Sequence, residues 1–318
     1  MPNIVILEGF TTNPGDLNWS AIEDLGTVKI YARTAPEEVV HRCKEAAIVL
    51  SNKVVFDEAV FAQLPQLQLV STLSTGYNTI DIAAAKKHNV TVCNVAGYAT
   101  PAVAQQVFAY ILYFCNQVGQ HNESVQAGQW ENNIDWCYFL QPIIELKGKT
   151  IGIYGLGEIG EQVAKIALGF DMNVLANRKD FSKGSPDNVT LVETDTLLRE
   201  SDFLTLHAPL TTDNKGFINQ STLAKMKPTA YLINTGRGGL IVEKDLKIAL
   251  ENKTIAGAAL DVLSEEPPKN GNMLIGTKNC LITPHNAWMS QAARQRLIEE
   301  SGKNIRAFLA GTPRNVVS

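Results

Sequence analysis

The hydrophobic positions of the chain fall into short compact runs separated by amphipathic stretches, and this alternation persists from end to end. The runs at residues 4–7, 28–31, 47–50, 67–73 and 90–93 read as strands, with helical patterns between them, for example at 37–43 and 57–64. A long helix is expected over about residues 100–125. Pro101 stands in its first turn, where the missing N–H of proline costs nothing. A second series of apolar runs follows at 150–154, 173–176, 203–206, 230–234, 255–260 and 280–283, and a helical pattern closes the chain at about 290–309. Strands alternating with helices in this way predict an α/β fold, with parallel sheets and crossover helices.

Length and charge narrow the function. The 318 residues leave room for two domains. A formal net charge of -4 argues against nucleic acid or an anionic membrane as partner. The five cysteines are scattered with no C-x-x-C pair, so free thiols in a reducing compartment are expected, and no metal site. The N-terminus reads as a strand with no basic leader. The most apolar stretch, 102–115, contains Gln105 and Gln106 and is too short to span a bilayer. These features predict a cytoplasmic protein. Segment 126–147, with Trp130, Trp136 and Cys137, is too apolar for a free linker and is expected to pack against something, such as a second subunit.

The sharpest motif is Gly155-Leu156-Gly157-Glu158-Ile159-Gly160. It follows the apolar run Thr150-Ile151-Gly152-Ile153-Tyr154 at once, and a helical pattern continues to Leu168. In that context the loop reads as a dinucleotide site. Gly155 permits the tight turn, Gly157 lets the backbone approach the pyrophosphate, and Gly160 lets helix and strand pack closely. The N–H groups at the helix start would meet the phosphate charge. The next strand ends not in an acid but in Asn177-Arg178-Lys179. An acid would accept from the ribose 2′-OH, whereas these cations would attract a 2′-phosphate, which favours NADP(H) over NAD(H). Asp180, one residue further, is the competing candidate for the ribose.

Three further clusters stand at strand ends, where an open α/β sheet binds ligands. They are Asn234-Thr235-Gly236-Arg237-Gly238-Gly239, Asp261-Val262 with Glu265-Glu266-Pro267, and Thr283-Pro284-His285-Asn286-Ala287-Trp288. Together with Ser74-Thr75-Gly76-Tyr77-Asn78, the glycine loop and His207-Ala208-Pro209-Leu210-Thr211, this ordered set resembles the D-isomer-specific 2-hydroxyacid dehydrogenases, within them the glycerate dehydrogenase/hydroxypyruvate reductase group. The resemblance runs over nearly the whole chain.

The resemblance implies two domains with a cleft between them and a catalytic triad of Arg237, Glu266 and His285. The residue types suit reduction of a 2-oxo acid. An imidazole, with its ordinary pKa of about 6.5, is a natural proton donor to the carbonyl oxygen. A carboxylate on its other nitrogen fixes the tautomer and favours the protonated ring. A guanidinium holds a carboxylate through two parallel N–H donors. By resemblance, the N–H groups of Thr75 and Gly76 bind the substrate carboxylate, and Asp261 orients the nicotinamide carboxamide. His207, Ala208, Pro209, Thr235 and Gly236 line the cofactor, and Trp288 lines the substrate pocket.

The expected architecture is two doubly wound parallel-sheet domains. A Rossmann-type cofactor domain (99–289) is inserted into a flavodoxin-like substrate domain (1–98 with 290–318), because the glycine loop lies in mid-chain and the last helix is left over. The expected reaction is reduction of hydroxypyruvate or glyoxylate to D-glycerate or glycolate, by a homodimer. Glu266 argues against formate dehydrogenase, whose site carries a Gln–His pair. Short-form phosphoglycerate dehydrogenase and a dinucleotide-sensing corepressor are the alternatives.

Overall fold

The structure, a computed structural model, describes all residues from 1 to 318. The chain forms two compact units, Met1–Ala99 together with Trp288–Ser318, and Thr100–Ala287. The first unit opens with β1 (Asn3–Ile6), α1 (Gly9–Thr12), α2 (Ser20–Glu23), β2 (Thr27–Ile30) and α3 (Val39–Cys43). It continues with β3 (Ile48–Ser51), α4 (Glu58–Phe61), β4 (Leu69–Thr72), α5 (Ile82–Lys87) and β5 (Thr91–Cys93). The second unit contains α6 (Thr100–Asn116), α7 (Val118–Gln126), β6 (Thr150–Tyr154), α8 (Glu158–Gly169), β7 (Asn173–Asn177), β8 (Val189–Leu191) and α9 (Thr194–Glu200). It ends with β9 (Phe203–Leu206), α10 (Gln220–Leu223), β10 (Tyr231–Asn234), α11 (Glu243–Glu251), β11 (Gly257–Leu260) and β12 (Cys280–Ile282). Helix α12 (Gln291–Leu309) then rejoins the first unit.

The sheet of the first unit has the order β2-β1-β3-β4-β5 and is parallel throughout. Every residue of β3 and β4 is buried, as expected of strands covered on both faces. Short helices start where an aspartate accepts a backbone N–H: Asp57 from Val60 and Asp81 from Ala84. Helix α12 packs on α2 and β4. Its Gly302 allows that approach, since a Cβ there would lie 2.4 Å from the Ala21 carbonyl oxygen. Buried Arg294 adds a two-pronged bond to Asp16, at 2.7 and 2.6 Å. The last residues return to the sheet, where Val317 N–H donates to Val92 O. Nothing in the sequence announced that pairing.

In the second unit the order is β12-β11-β10-β9-β6-β7-β8, again all parallel. From β6 the chain winds outward through β7 and β8, then returns to place β9 on the other side of β6. The winding direction therefore reverses between β6 and β9, and ligands of open α/β sheets bind beyond the carboxyl ends of such a pair. Both faces are covered. Val107 and Ile111 of α6 join Val163 and Ala164 of α8 on one face. Leu197 and Leu198 of α9 join Leu246 and Ala249 of α11 on the other.

Two expectations need correction. The helix expected over 100–125 is two helices, because Gln117 adopts a left-handed backbone (φ 51°) between α6 and α7. Helix α6 buries seven side chains, whereas α7 buries only Ser124, so packing does not hold the two in one line. Strand β8 escaped the periodicity because it has three residues, of which only Val189 is buried. In segment 126–147, Leu146 is buried, but Trp130, Ile134, Trp136 and Phe139 stand exposed, with Trp136 86% accessible. That segment therefore finds little packing within its own chain.

Candidate active site

The glycine loop begins where β6 ends. Gly155 has φ +100°, and a Cβ there would lie 2.4 Å from the Ala208 nitrogen, so the loop after β9 can approach only because this residue is glycine. The amides of Gly155 and of buried Leu156 both donate to the Asn177 carbonyl, which ties the loop to the end of β7. Gly157 is the N-cap of α8 and brings no capping side chain. The N–H groups of Glu158, Ile159 and Gly160 are thus the orphan donors of a helix start. Nothing lies within 4 Å of a Cβ built on Gly157, whereas one on Gly160 would meet the Gly155 carbonyl oxygen at 2.7 Å. The first glycine leaves an open cradle and the second allows tight packing. A dinucleotide pyrophosphate fits these donors.

At the end of β7, the side-chain amide of Asn177 donates to Val192 O. Arg178 donates through one Nη1 to Gly184 O at 2.8 Å, and Lys179 is exposed. Asp180 accepts from both the hydroxyl and the N–H of Ser182, and these bonds hold its carboxyl below the usual range. Beyond β9, the ring of His207 lies between the hydroxyls of Thr205 (2.9 Å) and Thr235 (3.4 Å). Burial lowers its pKa to about 3, which keeps the ring neutral and removes it as a competing proton donor. Pro209 accepts from Asn214.

The loop after β10 is shaped by buried Asn234. Its carbonyl oxygen Oδ1 accepts from Gly236 N–H, and its amide donates to Arg237 O at 2.9 Å. Gly238 then packs directly on the next loop, since a Cβ there would lie 2.0 Å from the Leu263 carbonyl. In that loop, Glu266 accepts from Leu263 N–H through Oε1 and pairs with His285 Nδ1 through Oε2 at 2.5 Å. Both side chains remain partly accessible, at 28% for His285 and 31% for Glu266. With Nδ1 engaged by the carboxylate, Nε2 is the nitrogen left to face a substrate.

Asp261, at 2% exposure, accepts from Thr283 Oγ1 (2.6 Å) and from the N–H groups of Asn286 and Ala287. Burial raises the pKa of its carboxyl, and these hydrogen bonds oppose the rise. Arg237, Glu266, Asp261 and His285 are therefore assembled by adjoining loops of one unit. Thr75, Gly76 and Trp288 belong to the other unit. There Thr75 donates its hydroxyl to Val95 O, and neither Thr75 N–H nor Gly76 N–H is used by a backbone acceptor. Trp288 packs edge-on against Tyr98, with ring centroids 6.3 Å apart.

The geometry has clear relatives. The family model for the NAD binding domain of D-isomer specific 2-hydroxyacid dehydrogenases matches residues 108–287. The chain is 43% identical to a hydroxypyruvate reductase of Blautia hydrogenotrophica, over 99% of each chain. It is 42% identical to a glycerate dehydrogenase of Methylorubrum extorquens, over 91% of each. The chain belongs to the D-isomer-specific 2-hydroxyacid dehydrogenase family. Among solved structures, an acyclic imino acid reductase in complex with NADPH and D-Arg superposes with a TM-score of 0.88 at 30% identity, covering 99% of this chain and all of that one. The NAD-complexed D-isomer specific 2-hydroxyacid dehydrogenase of Lactobacillus delbrueckii ssp. bulgaricus gives 0.80 at 25% identity, with the same coverage. The protein is a nicotinamide-dependent D-2-hydroxyacid dehydrogenase of the hydroxypyruvate reductase type. No helix is long and apolar enough to cross a membrane.

Sequence reasoning passed over Asn234 as a turn builder, the two threonines around His207, and Thr283 as a partner of Asp261. Asn234 and Thr283 were visible as polar residues at the ends of apolar runs. Their bonding was not.

The two glycines of the loop should respond differently to a single methyl group. Gly157→Ala should leave thermal stability nearly unchanged yet raise the cofactor KM by about tenfold or more, since a Cβ there meets only the ligand. Gly160→Ala should lose about 1–3 kcal/mol of stability from overpacking against the Gly155 carbonyl. Thermal melts and cofactor titrations on the two variants check both.

Proposed function

We propose that the protein reduces hydroxypyruvate and glyoxylate to D-glycerate and glycolate, with His285 as proton donor, Glu266 as its orienting partner and Arg237 as carboxylate anchor. The observation that carries this reading is the His285–Glu266 pair, in which Glu266 is itself fixed by Leu263 N–H. A nicotinamide bound there would supply the hydride. His285 Nε2 gives its proton to the carbonyl oxygen, and Glu266 balances the imidazolium charge before transfer. Arg237, with one donor used by Gly236 O, keeps others for the carboxylate and draws electron density from the adjacent carbonyl. Within the other unit, the free N–H groups of Thr75 and Gly76 are suited to donate to a carboxylate, and Trp288 is suited to contact a substrate. This makes Met1–Ala99 with Trp288–Ser318 the substrate domain and Thr100–Ala287 the cofactor domain, the latter also carrying Arg237, Glu266 and His285. The names of the similar reductases and dehydrogenases support the substrate class.

For the cofactor, Gly155, Leu156, Gly157, Glu158, Ile159 and Gly160 would hold the pyrophosphate, with His207, Ala208, Pro209, Thr235 and Gly236 lining the rest of the site. Asp261 orients the carboxamide through whatever acceptor capacity its three internal bonds leave. NADP(H) is preferred over NAD(H). Arg178 spends one N–H on Gly184 O and Lys179 is exposed, so both cations can meet a 2′-phosphate, with Asn177 beside them. Asp180 is engaged by Ser182, which argues against its serving the ribose. The protein acts as a homodimer through α6, α7 and the exposed segment beyond them. Apolar exposure at Trp130, Ile134, Trp136 and Phe139 marks a surface that a partner covers.

His285→Ala should lower kcat by at least about 10²-fold with cofactor affinity kept. Glu266→Gln should lower kcat by about tenfold or more with cofactor affinity kept, because the amide no longer fixes the ring orientation and tautomer that leave Nε2 facing the substrate. An unchanged kcat refutes the pairing role.

Steady-state kinetics on a panel of small 2-oxo acids should give NADPH a roughly 5- to 150-fold advantage in kcat/KM, corresponding to about 1–3 kcal/mol from two cations. Arg178→Asp should reverse it. Equal or better kcat/KM with NADH in the unmodified protein refutes the preference. Light scattering at micromolar concentration should return the mass of a dimer, and a monomer there rules out the proposed interface.

A further inference from the structure

His285 stands on an improbable piece of backbone. Its φ of 52° lies in the left-handed region, which a residue with a Cβ adopts uncommonly and at some cost, so the surroundings that hold it matter. What enforces it is Asp261. The His285 N–H donates to the Asp261 carbonyl at 2.9 Å. On one side of the histidine, Thr283 donates its hydroxyl to Asp261 Oδ1. On the other, Asn286 and Ala287 donate their N–H groups to the same carboxylate, each at 3.0 Å. The turn is thus gripped on both sides of His285.

The grip extends one residue further, to an element with no other part in the site. Tyr110 lies in α6, is 2% exposed, and places its hydroxyl 2.5 Å from Thr283 Oγ1. Because Thr283 gives its own proton to Asp261, it accepts from Tyr110, and the chain runs in one direction from phenol to threonine to carboxylate. Burial pushes the Tyr110 phenol up to about 12, so it remains a donor throughout the working pH range. The phenylalanine ring would fill the same space, so packing alone does not call for this hydroxyl.

We propose that Tyr110 is a positioning residue for the reaction: acting through Thr283 and Asp261, its hydroxyl holds the left-handed turn that aims His285. This rests on the reading of His285 as proton donor. Tyr110 touches neither substrate nor cofactor in this scheme. Its effect arises because proton transfer is steeply sensitive to small displacements of the donor.

The experiment compares Tyr110→Phe, Thr283→Val, Thr283→Ser and the Tyr110→Phe/Thr283→Val double variant in the full-length protein, with hydroxypyruvate and NADPH. Tyr110→Phe and Thr283→Val should each lower kcat by about tenfold, with the hydroxypyruvate KM and the NADPH Kd changed by less than about twofold. Thr283→Ser, which keeps the hydroxyl, should restore kcat to within about twofold of the parent. The double variant should fall no more than about twofold below Thr283→Val alone, because the chain acts as a unit. A Tyr110→Phe variant that melts earlier but keeps its kcat at 25 °C overturns the proposal, as do multiplicative losses in the double variant. If Tyr110→Phe does not fold, the Thr283 pair decides, and equal kcat for Thr283→Val and Thr283→Ser overturns it. His285→Ala in the same assay separates the two readings. Near-normal kcat there sinks the proton-donor assignment and this proposal with it, whereas a low value beside a normal Tyr110→Phe removes only the role of Tyr110.

Discussion

All-parallel pairing governs this molecule. Strands that run the same way cannot be joined by tight hairpins, so each must return through a crossover that covers a face of the sheet. In Thr100–Ala287 this forces every connection to leave from one edge. The loops after β6, β7, β9, β10, β11 and β12 emerge together at the carboxyl ends, although they are far apart in sequence. Chemistry can then be assembled from Gly155, His207, Arg237, Glu266 and His285 without any of them being sequence neighbours. The reversal between β6 and β9 opens the edge at the glycine loop, where Gly155 lets the Ala208 backbone come close.

Two histidines at this edge show how surroundings assign roles to one side chain. His207 is partly buried, has threonine hydroxyls at both ring nitrogens, and is kept neutral by desolvation. His285 keeps partial access to water and a carboxylate on Nδ1. Desolvation without a counter-charge holds the first ring neutral, whereas the carboxylate on Nδ1 of the second fixes which of its nitrogens faces outward. A similar contrast separates the acids. Glu266 is held by one backbone donor and turned toward a histidine, while Asp261 is enclosed and spends its oxygens on the turn around that histidine.

The segment beyond α7 obeys a different constraint. Except for Leu146 and Ile144 near its end, its apolar side chains find no sheet to lie on, and Trp130, Ile134, Trp136 and Phe139 stand exposed. The break at Gln117 is what sends the chain in that direction. Helix α6 stays on the sheet through Cys115, with Tyr110 reaching the end of β12, and α7 departs from it. One helix therefore serves both the core of its unit and the approach to the exposed arm.

Much of this was written in the sequence. Alternation of apolar runs and amphipathic stretches determined the α/β class. The placement of Gly155–Gly160 between an apolar strand and a helical pattern determined the dinucleotide loop, because backbone conformation and close packing are local demands that only glycine meets. Strand-end positions singled out the clusters holding Arg237, Glu265-Glu266 and His285, because polar residues that end an apolar run stand at a sheet edge, and the family resemblance selected the triad among them. Tertiary structure alone decided the rest. Whether residues 100–125 made one helix or two depended on where α6 ran out of a packing surface, and β8 was too short for its period to register. The left-handed turn at His285 and the hydrogen-bond chain from Tyr110 through Thr283 to Asp261 join residues up to 173 positions apart. No local pattern encodes such a contact: the residues meet only after the parallel sheet has brought their strand ends together.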